Sequence, residues 1–137
     1  MIDITAQARA DLIAVSGRKK TRILVKIGEQ DRLSMARFQH SIVTPGGIMI
    51  FETPNPGNVM VGSNNFYLDP THRNPLPGAL VKYIAETRGF TDTELLYLHP
   101  VNEEFLIKES SEVSRRFNEL FYGPQDYAII ARKPPQK

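Results

Sequence analysis

Three histidines and a few carboxylates carry most of the acid–base chemistry open to this chain. His72 stands in Asp69-Pro70-Thr71-His72-Arg73, three residues after a carboxylate and next to a guanidinium. An imidazole titrates near neutrality, so a histidine held beside Asp69 can act as a general base on a bound group. The same residues admit a structural reading. Asp69 can close an Asx-type turn on the backbone two residues on, with Asp69 and His72 pinning the loop to itself. Glu52-Thr53-Pro54-Asn55-Pro56 is a second candidate. Residues just beyond a buried strand often face a ligand, which would turn Glu52 and Asn55 toward one; two prolines around Asn55 also suffice for a plain turn. Phe66 and Tyr67 either line a pocket or anchor the loop that carries them. His40 and His99 share no metal-ligand spacing with His72, so no metal site is expected and both are read as structural or surface residues. Tyr127 is read as core. No serine lies in a nucleophile-elbow pattern.

These residues need a scaffold. Thr5 to Val15 can form a short helix, with Thr5 as cap and Gly17 as stop. Arg18-Lys19-Lys20-Thr21-Arg22 follows and is read as a solvated turn rather than an anion patch. Ile23 to Ile27 is a strand with little alternation, hence mostly buried. A helix is expected from Glu29 to Val43, ended by Thr44-Pro45-Gly46-Gly47. Ile48 to Phe51 is a continuous apolar strand of the kind found in parallel sheets. Residues 52–78 carry five prolines and three glycines and are expected as one long ordered loop folded over the body. Asn74 to Arg88 is the clearest helix, with Asn74 as its cap and Gly89 as its stop. Thr93 to His99 is a strand. Ser110 to Phe121 is an amphipathic helix with Val113, Phe117, Leu120 and Phe121 on its apolar side. Asp126 to Arg132 is the last strand. Strands alternating with helices point to an α/β fold with a small, mainly parallel sheet.

With 137 residues, residues 1–137 are expected to form a single domain. The net charge of +2 gives no case for nucleic acid, which is not an expected partner. Zero cysteines exclude a disulfide framework, a thiolate nucleophile and Cys-ligated zinc. No apolar run approaches the roughly 20 residues of a membrane span. Residues 1–6 lack the basic flank and apolar stretch of a signal peptide, so a cytoplasmic protein is expected.

Residues 44–56, Thr44-Pro45-Gly46-Gly47-Ile48-Met49-Ile50-Phe51-Glu52-Thr53-Pro54-Asn55-Pro56, and 65–77, Asn65-Phe66-Tyr67-Leu68-Asp69-Pro70-Thr71-His72-Arg73-Asn74-Pro75-Leu76-Pro77, resemble class I S-adenosylmethionine-dependent methyltransferases. The likeness is to a bacterial subgroup found with glycosyltransferases in polysaccharide gene clusters. Pro45-Gly46-Gly47 resembles the turn before that family's fifth strand, and residues 121–132 resemble the hairpin strand that closes its sheet. The resemblance covers about residues 42–133, leaving 1–41 as a divergent N-terminal segment and 134–137 as a tail. It implies part of a doubly wound sheet, similar to the C-terminal half of a Rossmann-like methyltransferase fold. The glycine-rich turn that holds the donor in that family, G-x-G-x-G, is absent from this sequence.

The resemblance thus implies the acceptor-side half of an enzyme that methylates a sugar or glycan hydroxyl, truncated and inactive alone. S-adenosylmethionine is the implied cofactor. His72 and Asp69 become the implied catalytic pair, and Asn55, Tyr67 and Arg73 the implied acceptor-binding residues. The alternative is a non-catalytic interaction domain, either half of a split enzyme or a self-associating remnant. The strand at Ile23 to Ile27 would then expose an apolar edge, which the N-terminal segment or a second copy of the chain is expected to cover, and a homo-oligomer or a second chain is the expected source of the missing half.

Overall fold

In the computed structural model, residues 22–25 are described as backbone and residues 43–70, 72 and 74–136 in full. The helices expected at Thr5–Val15 and over 29–42, the basic cluster before Arg22, His40 and Arg73 lie outside the described residues. Four strands form one sheet in the order β1-β2-β4-β3: β1 is Arg22–Val25, β2 Ile48–Pro54, β3 Thr91–Leu98 and β4 Asp126–Arg132. β1 runs parallel to β2, whereas β4 is antiparallel to both β2 and β3. The expectation of a mainly parallel sheet is therefore corrected: the last strand inserts between β2 and β3 in the opposite direction. Its continuous apolar run did not betray this, because burial on both faces erases the alternation by which antiparallel strands are usually recognised. Residues 127–131 are all buried.

The period of two along these strands sorts the core into two layers. Met49, Phe51, Tyr127, Ile129 and Ala131 face one side, where Leu76, Ala85 and Phe90 close over them with half-buried Val81 and Leu95. Ile48, Ile50 and Ile130 face the other, with Leu96 against them. Each large side chain so buried contributes about 1.5–3 kcal/mol. Tyr127 is core, as expected: fully buried, it donates its hydroxyl proton to the carbonyl of Leu76 at 2.7 Å.

The first layer is covered by helix α2, Gly78–Thr87. It begins four residues later than expected, with Pro77 rather than Asn74 at its N-cap position. A residue that precedes proline is pushed out of the helical region. Asn74 and Leu76 both do so, and the helix starts only once Pro77 is passed. Gly78 lets the helix start close on β3, since a Cβ there would lie 2.8 Å from Leu95 Cδ1.

The long segment after β2 is not a plain loop. It holds helix α1, Val59–Ser63, and a 3-10 turn, Asn65–Leu68. After β3 come a 3-10 turn, Glu103–Phe105, and helix α3, Glu112–Phe117, which continues as a π turn over Asn118–Tyr122. Ser111 caps α3, its hydroxyl accepting from the Ser114 amide at 3.1 Å. The expected apolar side of this helix is not buried: Val113, Phe117 and Leu120 are exposed.

Candidate functional site

The carboxyl ends of β2 and β3 and the start of β4 lie at one edge of the sheet, the edge where α/β folds hold ligands. Backbone hydrogen bonds tie the three segments together there. The Asn55 amide donates to the Gln125 carbonyl at 2.7 Å, and the Gln125 amide to the His99 carbonyl at 3.2 Å. The Val101 amide donates to the Tyr122 carbonyl at 3.2 Å.

Buried Asn58 is the knot of this edge. Its Oδ1 accepts from the amides of Met60 and Val61 and so caps α1, while its Nδ2 donates to the carbonyls of Gly123 and Phe121. A single side chain thus fixes the segment after β2 to the segment before β4. Between them opens a cleft of about 220 Å³. Val101, Phe105, Phe121 and Tyr122 form its apolar walls, and the amides of Asn65 and Gln125 supply polar groups.

Asn55 is buried, and both ends of its amide are engaged: Nδ2 donates to the Pro124 carbonyl at 2.9 Å and Oδ1 accepts from the Gly57 amide at 3.0 Å. Tyr67 is 54% exposed, next to Phe66 at 1%. The Phe66 ring is the anchor of this loop, and it stacks on His72 with centroids 4.8 Å apart. His72 Nδ1 lies 3.0 Å from the Phe66 carbonyl. A carbonyl only accepts, so Nδ1 carries the proton and Nε2 keeps its lone pair in the neutral ring. Asp69 Oδ2 stands 3.9 Å from Nε2, and the His72 amide donates to the Asp69 carbonyl at 2.9 Å. The structure therefore brings Asp69, His72 and Phe66 together.

A second grouping joins residues far apart in sequence. Glu52, His99 and Asp126 each offer one donor atom, all within 4.8 Å of one another. In β2–β4 pairing Glu52 is opposite Ala128 and Pro54 opposite Asp126, so Glu52 and Asp126 are diagonal neighbours on one face. Leu98 also pairs with Asp126. An extended His99 would point to the other face. Its backbone instead takes φ of 53°, a left-handed conformation uncommon outside glycine, and its Nδ1 lies 2.9 Å from Asp126 Oδ2. Burial raises the pKa of Glu52, His99 pulls it back and Asp126 pushes it further up. Reading the sequence singled out Glu52 but treated His99 as structural, because separations of 47 and 27 residues leave no local spacing to notice.

A solved structure of a SAM dependent methyltransferase from Archaeoglobus fulgidus is similar to this chain, with a TM-score of 0.69 and 28% sequence identity over 82% of the chain. The chain has, in part, a methyltransferase-like fold. It spans 58% of the length of that methyltransferase. No family model matches the sequence, and no curated protein matches it. Among the described residues no helix is long and apolar enough to cross a membrane.

Five of the described glycines leave no open space for S-adenosylmethionine to lie against. A cofactor cradle needs glycines whose missing side chains leave room for the ligand. At Gly47 and Gly62 the space a Cβ would fill is taken by the chain's own carbonyl oxygens, at 2.8 and 2.7 Å, at Gly123 by the Glu119 carbonyl oxygen, and at Gly78 by Leu95. At Gly57 it is taken by Asn55 Oδ1 at 3.0 Å.

Proposed function

We propose that this chain forms the acceptor side of a S-adenosylmethionine-dependent methyltransferase that acts on a hydroxyl of a sugar or glycan, and that it is inactive alone. The methyltransferase-like fold, together with a cleft at the ligand-holding edge of the sheet, carries this reading. Apolar and aromatic walls with a few amides at the rim suit a sugar ring, which presents C–H faces and hydroxyls. A volume below the roughly 300 Å³ of typical ligand pockets suits one terminal residue better than an extended chain. His72, held on the loop after Asn65 and not itself lining the cleft, is assigned the hydroxyl proton at Nε2, with Asp69 beside it to favour the resulting imidazolium; Tyr67 and Arg73 are assigned to the acceptor, while the engaged amide of Asn55 fixes the turn after β2. The donor is held by residues beyond the described ones, supplied by a second copy or another chain.

The exposed row of Val113, Phe117 and Leu120 favours a companion reading, an interaction module whose partner covers α3. Calorimetric titration of the purified chain with S-adenosylmethionine and saturation-transfer NMR with methyl glycosides test the main reading. No donor heat, with sugar contacts at Phe105, Phe121 and Tyr122, is the expected result. Micromolar donor binding by the chain alone would refute the division of labour, and no sugar contact would refute the acceptor.

A further inference from the structure

On the face of the sheet opposite α2, three side chains from three strand ends converge, and they are not used in the reading above. Glu52 comes from the end of β2, His99 from the residue after β3 and Asp126 from the start of β4. Each is half-buried, held where bulk solvent does not fully screen it. The cluster is unbalanced in charge: Asp126 is engaged by His99, and the Glu52 carboxylate accepts no hydrogen bond from any described residue. Two carboxylates and one imidazole then face one another with a single cationic partner at most. We propose that Glu52, His99 and Asp126 bind a first-row divalent cation.

The donor set narrows the ion. Imidazole suits zinc and other late first-row metals, carboxylate suits manganese and magnesium, and a mixed site with two oxygens and one nitrogen suits zinc or manganese. Metal bonds of about 2.0–2.2 Å place adjoining donors roughly 3–3.5 Å apart, so a cluster spread over as much as 4.8 Å must draw in by about 1 Å at its widest. Glu52 can supply that movement, since its carboxylate is tied to nothing else described. His99 cannot swing far: its left-handed backbone and the bond to Asp126 already aim the ring. Three protein ligands leave coordination positions open to water or to an oxygen of a bound molecule.

The test uses the full chain, stripped with chelator and titrated calorimetrically with Mn2+ and with Zn2+. One ion per chain is expected, with affinity at least about tenfold weaker in Glu52→Gln and in His99→Gln. Substoichiometric Mn2+ also broadens nearby amide resonances, and in the unaltered protein that broadening is centred on residues 52, 99 and 126. This second readout stands even if a variant fails to fold. No saturable binding, unchanged affinity in both variants, or broadening centred elsewhere overturns the site. Neither readout involves S-adenosylmethionine or methyl transfer, so the site and the methyltransferase reading succeed or fail separately.

Discussion

Asn58 offers a sharp measurement, because its two functions are separable by substitution. Its Oδ1 caps α1 through the amides of Met60 at 3.0 Å and Val61 at 3.2 Å, and its Nδ2 reaches the carbonyls of Gly123 at 3.0 Å and Phe121 at 3.3 Å. The residue is 1% exposed, so water does not replace what is removed. Losing a cap costs about 1 kcal/mol. Leaving two carbonyls without their donor adds about 1 kcal/mol each. Asn58→Ala is therefore expected to lose about 3 kcal/mol in urea unfolding followed by circular dichroism. Asn58→Ser keeps a capping oxygen and should lose about 2 kcal/mol. Asn58→Asp is the decisive variant. It caps a helix as well as asparagine does, but it turns a carboxylate toward two carbonyl oxygens. If capping alone mattered, Asn58→Asp would match the unaltered protein; if the link to the segment before β4 matters, it is at least as unstable as Asn58→Ala. Both Ala and Asp variants lying within about 0.5 kcal/mol of the unaltered chain would refute the role assigned to this side chain.

Other outcomes follow from single contacts. Tyr127→Phe leaves the Leu76 carbonyl without its buried donor and should cost about 1–2 kcal/mol by chemical denaturation, with the fold retained. Gly123→Ala drives a Cβ into the Glu119 carbonyl oxygen and should cost about 1–3 kcal/mol, read as a lower unfolding midpoint. Glu52 has a folded-state pKa above 4.5, so the folded chain holds this proton more tightly than the unfolded one and stability falls as pH rises through that raised pKa. In chelator, Glu52→Gln should therefore be the more stable chain at neutral pH, with the difference vanishing below the ordinary carboxylate range; pH-dependent melting curves read this, and parallel curves would count against it.

How far the sequence revealed this molecule depended on whether the signal was local. The strand at Asp126–Arg132 was legible because an unbroken apolar run over residues 127–131, bounded by Asp126 and Arg132, has few other uses. The helix after Pro77 was legible in its body but not in its start, since Asn74 is a good cap by type while the prolines behind it forbid the helical turn it would open. Helix α1 was missed because five residues carry no periodicity, and its one local clue was Asn58 placed just ahead of it. The direction of β4 was not legible from its composition, as the segment between residues 99 and 125 is long enough to return the chain either way; only the likeness to a closing hairpin strand pointed to the antiparallel pairing with β3. The site divides along the same line. Asp69 and His72 are three residues apart, and their proximity could be read directly. Glu52, His99 and Asp126 meet only through sheet register and one left-handed residue, neither of which is written in composition.

The order of the strands also sets the order in which the molecule can be built. β3 is paired with β4 alone among the described strands, and β4 leaves the ribosome after the other three. Until residues 126–132 emerge, β2 and β3 have no common neighbour, and the apolar faces on both sides of the sheet cannot close. β4 is therefore the keystone of the described sheet. Pairings across such sequence distances close late and slowly, so a nascent chain that has not yet reached residue 126 holds no continuous sheet. Residues 126–132 are the part on which the other strands wait.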